Sequence, residues 1–158
     1  MALNSALMFS KASDNWSTPQ DFWDVLNAEF DFDMDVAASK ENSKCGENCF
    51  TIEDDALSRD WGWPLEHPTI CWLNPPYSKC REFIAKAALE ASKGCTVVCL
   101  VPSRTDTRWW HGSVWDREKH QPRPGVEVRF IKGRLKFGGA ACGAPFPSVI
   151  VVFRPPCA

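Results

Sequence analysis

The stretch ICWLNPPY, residues Ile70 to Tyr77, leaves the backbone few choices. Ile70 to Leu73 form an apolar run of strand length. Two consecutive prolines follow, each with a fixed φ and no N–H to donate, so no ladder or helix runs through them. The strand must therefore end near Leu73, with Asn74 and Tyr77 displayed on a proline-locked turn. Past that turn the spacing predicts a helix over about residues 79–92, stopped by Gly94. A second β-branched run, CTVVCLVP, ends at Pro102. Strand, helix and strand in that order predict an α/β sheet. Sheets of this kind bind ligands beyond the carboxyl ends of their strands. Those ends carry Asp35, Asn74 with Tyr77, and Pro102 with Ser103 and Arg104.

The flanking segments extend this pattern. STPQDFWDVLNAEF predicts a helix with Ser17 or Thr18 as N-cap and Pro19 in the first turn. The strict alternation from Phe30 to Val36 predicts a strand, and residues 40–66 are acidic and irregular. TDTRWWHGSVW suggests a short helix, and the proline-broken REKHQPRPG a loop. VEVRFIKGRLKFG reads as a C-terminal β-hairpin turning near Lys132–Gly133, and PSVIVVF as a last core strand. The alternation within that hairpin puts Arg134 and Lys136 on the face opposite Leu135 and Phe137. The 158 residues suit one domain, taken as residues 16–158 behind a loose tail, residues 1–15.

Composition narrows the function classes. The chain has no apolar run of membrane-spanning length, and its first residues lack the basic and apolar parts of a signal peptide. A cytoplasmic location is expected. Eight cysteines raise a disulfide or zinc reading. Cys95 and Cys99 are four steps apart on one strand, roughly 13 Å, too far to share a bond or metal. Only Cys45 and Cys49 with His67 suggest part of a metal site, and a fourth ligand is not evident, so reduced thiols and no metal are expected. The net charge of −2 hides an asymmetry. Residues 1–70 carry four basic and fourteen acidic residues, residues 71–158 fourteen and six. Such sorting fits one anion-facing surface.

The ordered set WSTPQDFWDVL, DVAAS, LSRDW, NPPYS, LVPSRTDTRWWH and GRLKFGG…APFPSVIVVF resembles the phage-type Dam-like DNA N-6-adenine-methyltransferases, from about Trp16 to Phe153. The resemblance implies a single-domain, Rossmann-like methyltransferase sheet with helices on both faces, S-adenosylmethionine as donor and adenine N6 in double-stranded DNA as acceptor. Asn74, Pro75, Pro76 and Tyr77 then occupy the catalytic motif. An adenine amine is a poor nucleophile because its lone pair is delocalised into the ring. It must be held in line with the methyl group while its developing charge is stabilised. The Asn74 amide oxygen and the Pro75 carbonyl are suited to accept its two N–H groups. Tyr77 is suited to stack on a base swung out of the duplex.

The same resemblance implies a donor site formed by Trp16, Thr18, Pro19, Asp35, Ala37 and Ser39, without the glycine-rich motif common among methyltransferases. A carboxylate about 20 residues past Asp35 is expected on the ribose hydroxyls, from among Glu53, Asp54 and Asp55. Asp60 is placed near the donor's adenine. For DNA, Arg104, Arg108, Arg129, Lys132, Arg134 and Lys136 supply cations interleaved with Trp109, Trp110, Phe130 and Phe137. Phe130 and Leu135 equally fit the apolar inner face of a soluble hairpin. The chain lacks room for a separate recognition domain, so site choice falls to residues 40–66, residues 115–126 or a second subunit. A GATC target comes from the resemblance alone. The competing readings are the same donor with an RNA or protein glutamine acceptor, and a non-catalytic DNA-binding antirestriction module.

Overall fold

The computed structural model of the chain describes residues 16–62 and 68–157. The proposed tail, residues 1–15, and His67 lie outside them. A mixed five-stranded sheet forms the centre, in the order β1 (Met34–Asp35), β2 (Ile70–Leu73), β3 (Thr96–Pro102), β7 (Ser148–Phe153) and β6 (Val126–Phe130). β1, β2 and β3 are parallel, and β7 alone is reversed between β3 and β6. β2, β3 and β7 are the interior strands, and all but two of their residues are buried. Continuous β-branched runs suit strands covered on both faces.

The period of two divides those side chains between two cores. Trp72, Val98, Leu100, Ile150 and Val152 face helix α1 (Gln20–Phe30), which buries Trp23, Leu26 and Phe30. Cys71, Leu73, Val97, Cys99, Val101, Val149 and Val151 face helix α2 (Cys80–Ser92), which buries Phe83, Ile84, Ala87 and Ala91. The sheet thus has a helix on each face. Trp72 is 1% exposed, and truncating such a ring to alanine costs about 3–5 kcal/mol. Gly94, with φ of +114°, ends the turn between α2 and β3, a conformation that glycine adopts without strain.

Several local expectations need correction. Neither Ser17 nor Thr18 caps α1; Pro19 stands at that position and offers no side-chain cap bond. The alternating segment 30–36 contributes only two strand residues, because Phe30 completes α1 and Asp31, at φ of +56°, ends the helix. The hairpin in 126–137 does not form. β6 pairs with β7, whose buried interior position requires a partner on each side, and residues 131–136 form no strand. Phe130 is accordingly 72% exposed rather than part of an apolar inner face. The loop expected at 117–125 instead includes one arm of a short ribbon, β4 (Trp115–Asp116) with β5 (Gln121–Pro122). The segment expected as a short helix ends in a π-helical turn, Trp110–Val114. Among the described residues no helix is long and apolar enough to cross a membrane.

Candidate active site

The carboxyl ends of β1 and β2 open into a cavity of about 570 Å³. Its walls bring together Trp16, Thr18, Asp35, Ala37, Ser39, Asp55, Asn74 and Pro76, contributed by four separate stretches of chain. That volume lies in the range of small-molecule sites, about 300–1,000 Å³. Ala37 and Ala38 leave room where a larger side chain would fill the wall, and Phe50 and Phe83 add apolar surface.

Asn74 follows the last residue of β2, and its amide is held at one end only. Nδ2 donates to the Trp16 carbonyl and, at 3.2 Å, to the Thr18 hydroxyl. The Trp16 carbonyl accepts only, so the nitrogen must be the atom facing it. Oδ1 points the other way, buried and without a protein partner. An orphaned buried acceptor loses its hydration for no return, about 1–3 kcal/mol. It marks where a donor belongs.

Tyr77 opens the short 3₁₀ turn Tyr77–Lys79 that leads into α2. Its ring lies nearly parallel to Trp16, 16° between planes at 6.4 Å, and meets Phe146 edge-on at 5.2 Å. Phe137 completes this aromatic cluster at 6.5 Å from Tyr77 and 5.4 Å from Trp16. Burial pushes the Tyr77 phenol well above its ordinary range, so it stays neutral, and its hydroxyl is also without a partner. The sequence reading gives Phe146 no role, although PFP holds its ring between two prolines and NPPY places its ring directly after two.

The acidic candidates separate sharply. Asp35 is 3% exposed and accepts backbone N–H groups from Ala37 at 3.3 Å and Lys44 at 3.0 Å. Burial pushes its carboxyl up to about 6, against the lowering effect of those two bonds. Asp55 and Glu53 line the cavity, whereas Asp54 does not. Asp54 instead accepts the Thr51 N–H and hydroxyl, both at 2.9 Å, and closes a turn. Pro19 is outside the lining as well and serves to start α1. Asp60 departs furthest from expectation. It reaches Lys93 at 3.4 Å, just past the end of α2 and at the amino ends of the strands, opposite the cavity. Lys93 and Lys86 also bind the buried Glu90, whose other oxygen accepts the Trp61 N–H.

The cations divide as well. Arg104 and Arg108 are exposed past the carboxyl end of β3 and are not part of the cavity lining, and Lys132, Arg134 and Lys136 are exposed beyond β6. Leu135 and Phe137 are half-buried and buried, so the alternation around them holds without a hairpin. Arg129 differs, because Glu29 and Glu127 both engage it. Trp110 is buried and Trp109 half-buried, so neither ring is free. Cys45 and Cys49 are half-buried free thiols, and no cluster of three metal-ligating side chains occurs among the described residues.

Comparison with known proteins bears on this geometry directly. Residues 6–156 match the family described as DNA N-6-adenine-methyltransferase (Dam). The chain belongs to that family. The family's name states the reaction, methyl transfer to adenine N6 in DNA, and so identifies the chain as a DNA adenine methyltransferase by kinship. A DNA N-6-adenine-methyltransferase of Haemophilus phage HP1 (strain HP1c1) is 33% identical over 147 residues, 90% of this chain and 79% of that protein. A protein of the same name from Escherichia phage T1 is 36% identical over 98 residues, 61% of this chain but only 39% of that protein. The Dam family match thus takes in nearly every element of the fold, including the Asn74 turn and the Phe146 segment.

Proposed function

We propose that this chain transfers the methyl group of S-adenosylmethionine to the exocyclic N6 of adenine in double-stranded DNA. The carrying observation is the Asn74 amide, with Nδ2 anchored and Oδ1 buried and unpartnered at the cavity edge. An amine N–H is the donor that completes it. Adenine N6 has two such hydrogens, and the Pro75 carbonyl on the same rigid turn takes the second. Holding both disfavours conjugation into the ring and stabilises positive charge as it develops on nitrogen. Pro75 and Pro76 fix the turn, so little reorganisation accompanies the reaction.

The cavity suits the donor. S-adenosylmethionine supplies an electrophilic methyl group on a sulfonium centre. Asp55 and Glu53 present carboxylates to ribose hydroxyls, and Phe50, Phe83 and Ile52 present apolar surface to an adenine ring. Asp35 braces the loop behind Ala37 and adds negative charge near a cationic ligand. We read the parallel strands with a helix on each face as a Rossmann-like domain spanning residues 16–158. DNA lies along the carboxyl edge, held by Arg104, Arg108, Lys132, Arg134 and Lys136, while Tyr77 contacts the flipped base.

The test is transfer of labelled methyl from S-adenosylmethionine to unmethylated duplex DNA, with RNA and a GATC-methylated duplex in parallel. Label in DNA adenine is expected, and Asn74→Ala is expected to abolish it while the fold is kept. Label in RNA alone, or full activity of Asn74→Ala, overturns the reading. Loss of label on the methylated duplex assigns GATC as the target.

A further inference from the structure

Thr18 is 5% exposed and stands two residues before α1, yet its hydroxyl leaves the helix uncapped. Serving as N-cap is worth about 1 kcal/mol to a helix. The oxygen instead accepts from Asn74 Nδ2 at 3.2 Å, while the Trp16 carbonyl takes the same amide group. A primary amide has two N–H groups, and two acceptors face them here. Rotating the amide by half a turn would put Oδ1 against the Trp16 carbonyl, acceptor on acceptor. One orientation therefore remains. The strap is itself pinned, since the Gly138 N–H donates to the Ser17 carbonyl at 2.9 Å. The Trp16 ring also abuts Phe137 and Phe146, at 5.4 Å each.

We infer that Thr18 is a positioning residue for methyl transfer, which holds the Asn74 amide in the orientation that the Trp16 carbonyl selects, with its oxygen toward the acceptor amine. Trp16, Ser17 and Thr18 also line the donor cavity. One strap thus touches both the donor space and the amide that receives the acceptor, and ordering it for one prepares the other. The inference rests on the proposed function for its chemistry, but the orientation of the amide is measurable without turnover.

Thr18→Val keeps the β-branched shape and removes the oxygen. Losing one partner of a buried hydrogen bond corresponds to a fall in kcat of about tenfold or more. Affinity for S-adenosylhomocysteine should fall less than kcat, because the bond lost is to Asn74 even though Thr18 lines the donor cavity. Thr18→Ser, which keeps the oxygen, should restore kcat. In spectra of protein with isotope-labelled asparagine, the side-chain amide pair that disappears in Asn74→Ala should shift in Thr18→Val and return in Thr18→Ser. An unchanged amide pair overturns the inference. So does a fall in donor affinity with kcat intact at saturation, which would make Thr18 a donor contact only. If Thr18→Val does not fold, Thr18→Ser decides, since a serine variant as slow as Asn74→Ala refutes a role for the oxygen. Should the wild-type protein transfer no methyl at all, the functional reading falls, while the amide spectra still decide the positioning.

Discussion

Arg129 donates to both carboxylate oxygens of Glu29, one hundred positions away in the chain, at 2.7 Å each. It reaches Glu127 as well, and its guanidinium lies 5.2 Å from the centre of the Phe30 ring. Hydrogen bonds to Glu29 and Glu127 raise the arginine above its ordinary range, and the bond to Arg129 holds Glu29 below the usual carboxylate range. Arg129 thus ties β6 to the end of α1. Arg129→Ala should lower the melting temperature by a few degrees, since partly exposed bidentate pairs contribute about 1 kcal/mol. Its effect on the salt dependence of DNA binding should be small. Lys132→Ala and Lys136→Ala, whose charges lack an ion-pair partner among the described residues, should each reduce the salt slope by about 1. DNA titrations at several salt concentrations distinguish the two behaviours. An Arg129→Ala slope reduced as much as that of Lys136→Ala would refute the assignment.

Tyr77 separates ring from hydroxyl. The hydroxyl is buried without a partner, and the ring packs on Trp16 and Phe146. Tyr77→Phe removes an unsatisfied group and keeps the stacking surface, so thermal stability should not fall and most activity should remain. Tyr77→Ala removes the ring and should cost about 3–5 kcal/mol of stability along with most turnover. Thermal melts and methyl-transfer rates on the two variants check this. A Tyr77→Phe variant as inactive as Tyr77→Ala would assign the hydroxyl a direct role.

Asp35 makes stability depend on pH in a direction opposite to the usual ion-paired carboxylate. Burial pushes its carboxyl up from 3.8 to about 6 in the folded chain. The native state therefore binds the proton more tightly than the unfolded state. Its stabilising contribution is present below about pH 4 and is lost as pH rises through about 6. The difference corresponds to roughly 3 kcal/mol. Urea unfolding of wild type and Asp35→Asn from pH 4 to 7 should show wild type losing ground to the variant across that window, and a constant difference above it. A difference independent of pH would mean that the carboxyl titrates near its ordinary value.

The strand ends were legible because their signals are local. Two prolines stop β2 wherever the chain goes, and β-branched runs such as TVVCLVP suit only a strand buried on both faces. Asn74 and the cavity's Trp16, Thr18, Asp35, Ala37 and Ser39 followed from such ends together with the family resemblance. What escaped depends on distant partners. Arg129 reads as a free cation until α1 brings Glu29 beside it. Thr18 reads as a helix cap until Asn74, 56 residues on, takes its hydroxyl. The hairpin pattern in 126–137 is a true alternation, but β7 competes for β6 and wins because its six buried residues need a neighbour on that side. Asp54, Asp55 and Asp60 look alike in sequence, and only the turn at Thr51 and the position of Lys93 tell them apart.

That separation yields a direct measurement. Asp55 lines the cavity at φ of +50°, a left-handed backbone that aspartate tolerates better than most residues and asparagine equally well. Asp55→Asn therefore keeps the backbone and removes the charge, and should weaken binding of S-adenosylhomocysteine by about tenfold, the loss expected for a charge-assisted hydrogen bond to a ribose hydroxyl. Asp54→Asn should act through the Thr51 turn instead, with a small loss of stability and a smaller change in affinity. Asp60→Asn should leave affinity unchanged, because Asp60 faces Lys93 at the opposite edge of the sheet. Calorimetric titration of the three variants orders them. Affinity that falls with Asp60→Asn and not with Asp55→Asn would move the donor site away from the carboxyl ends of β1 and β2.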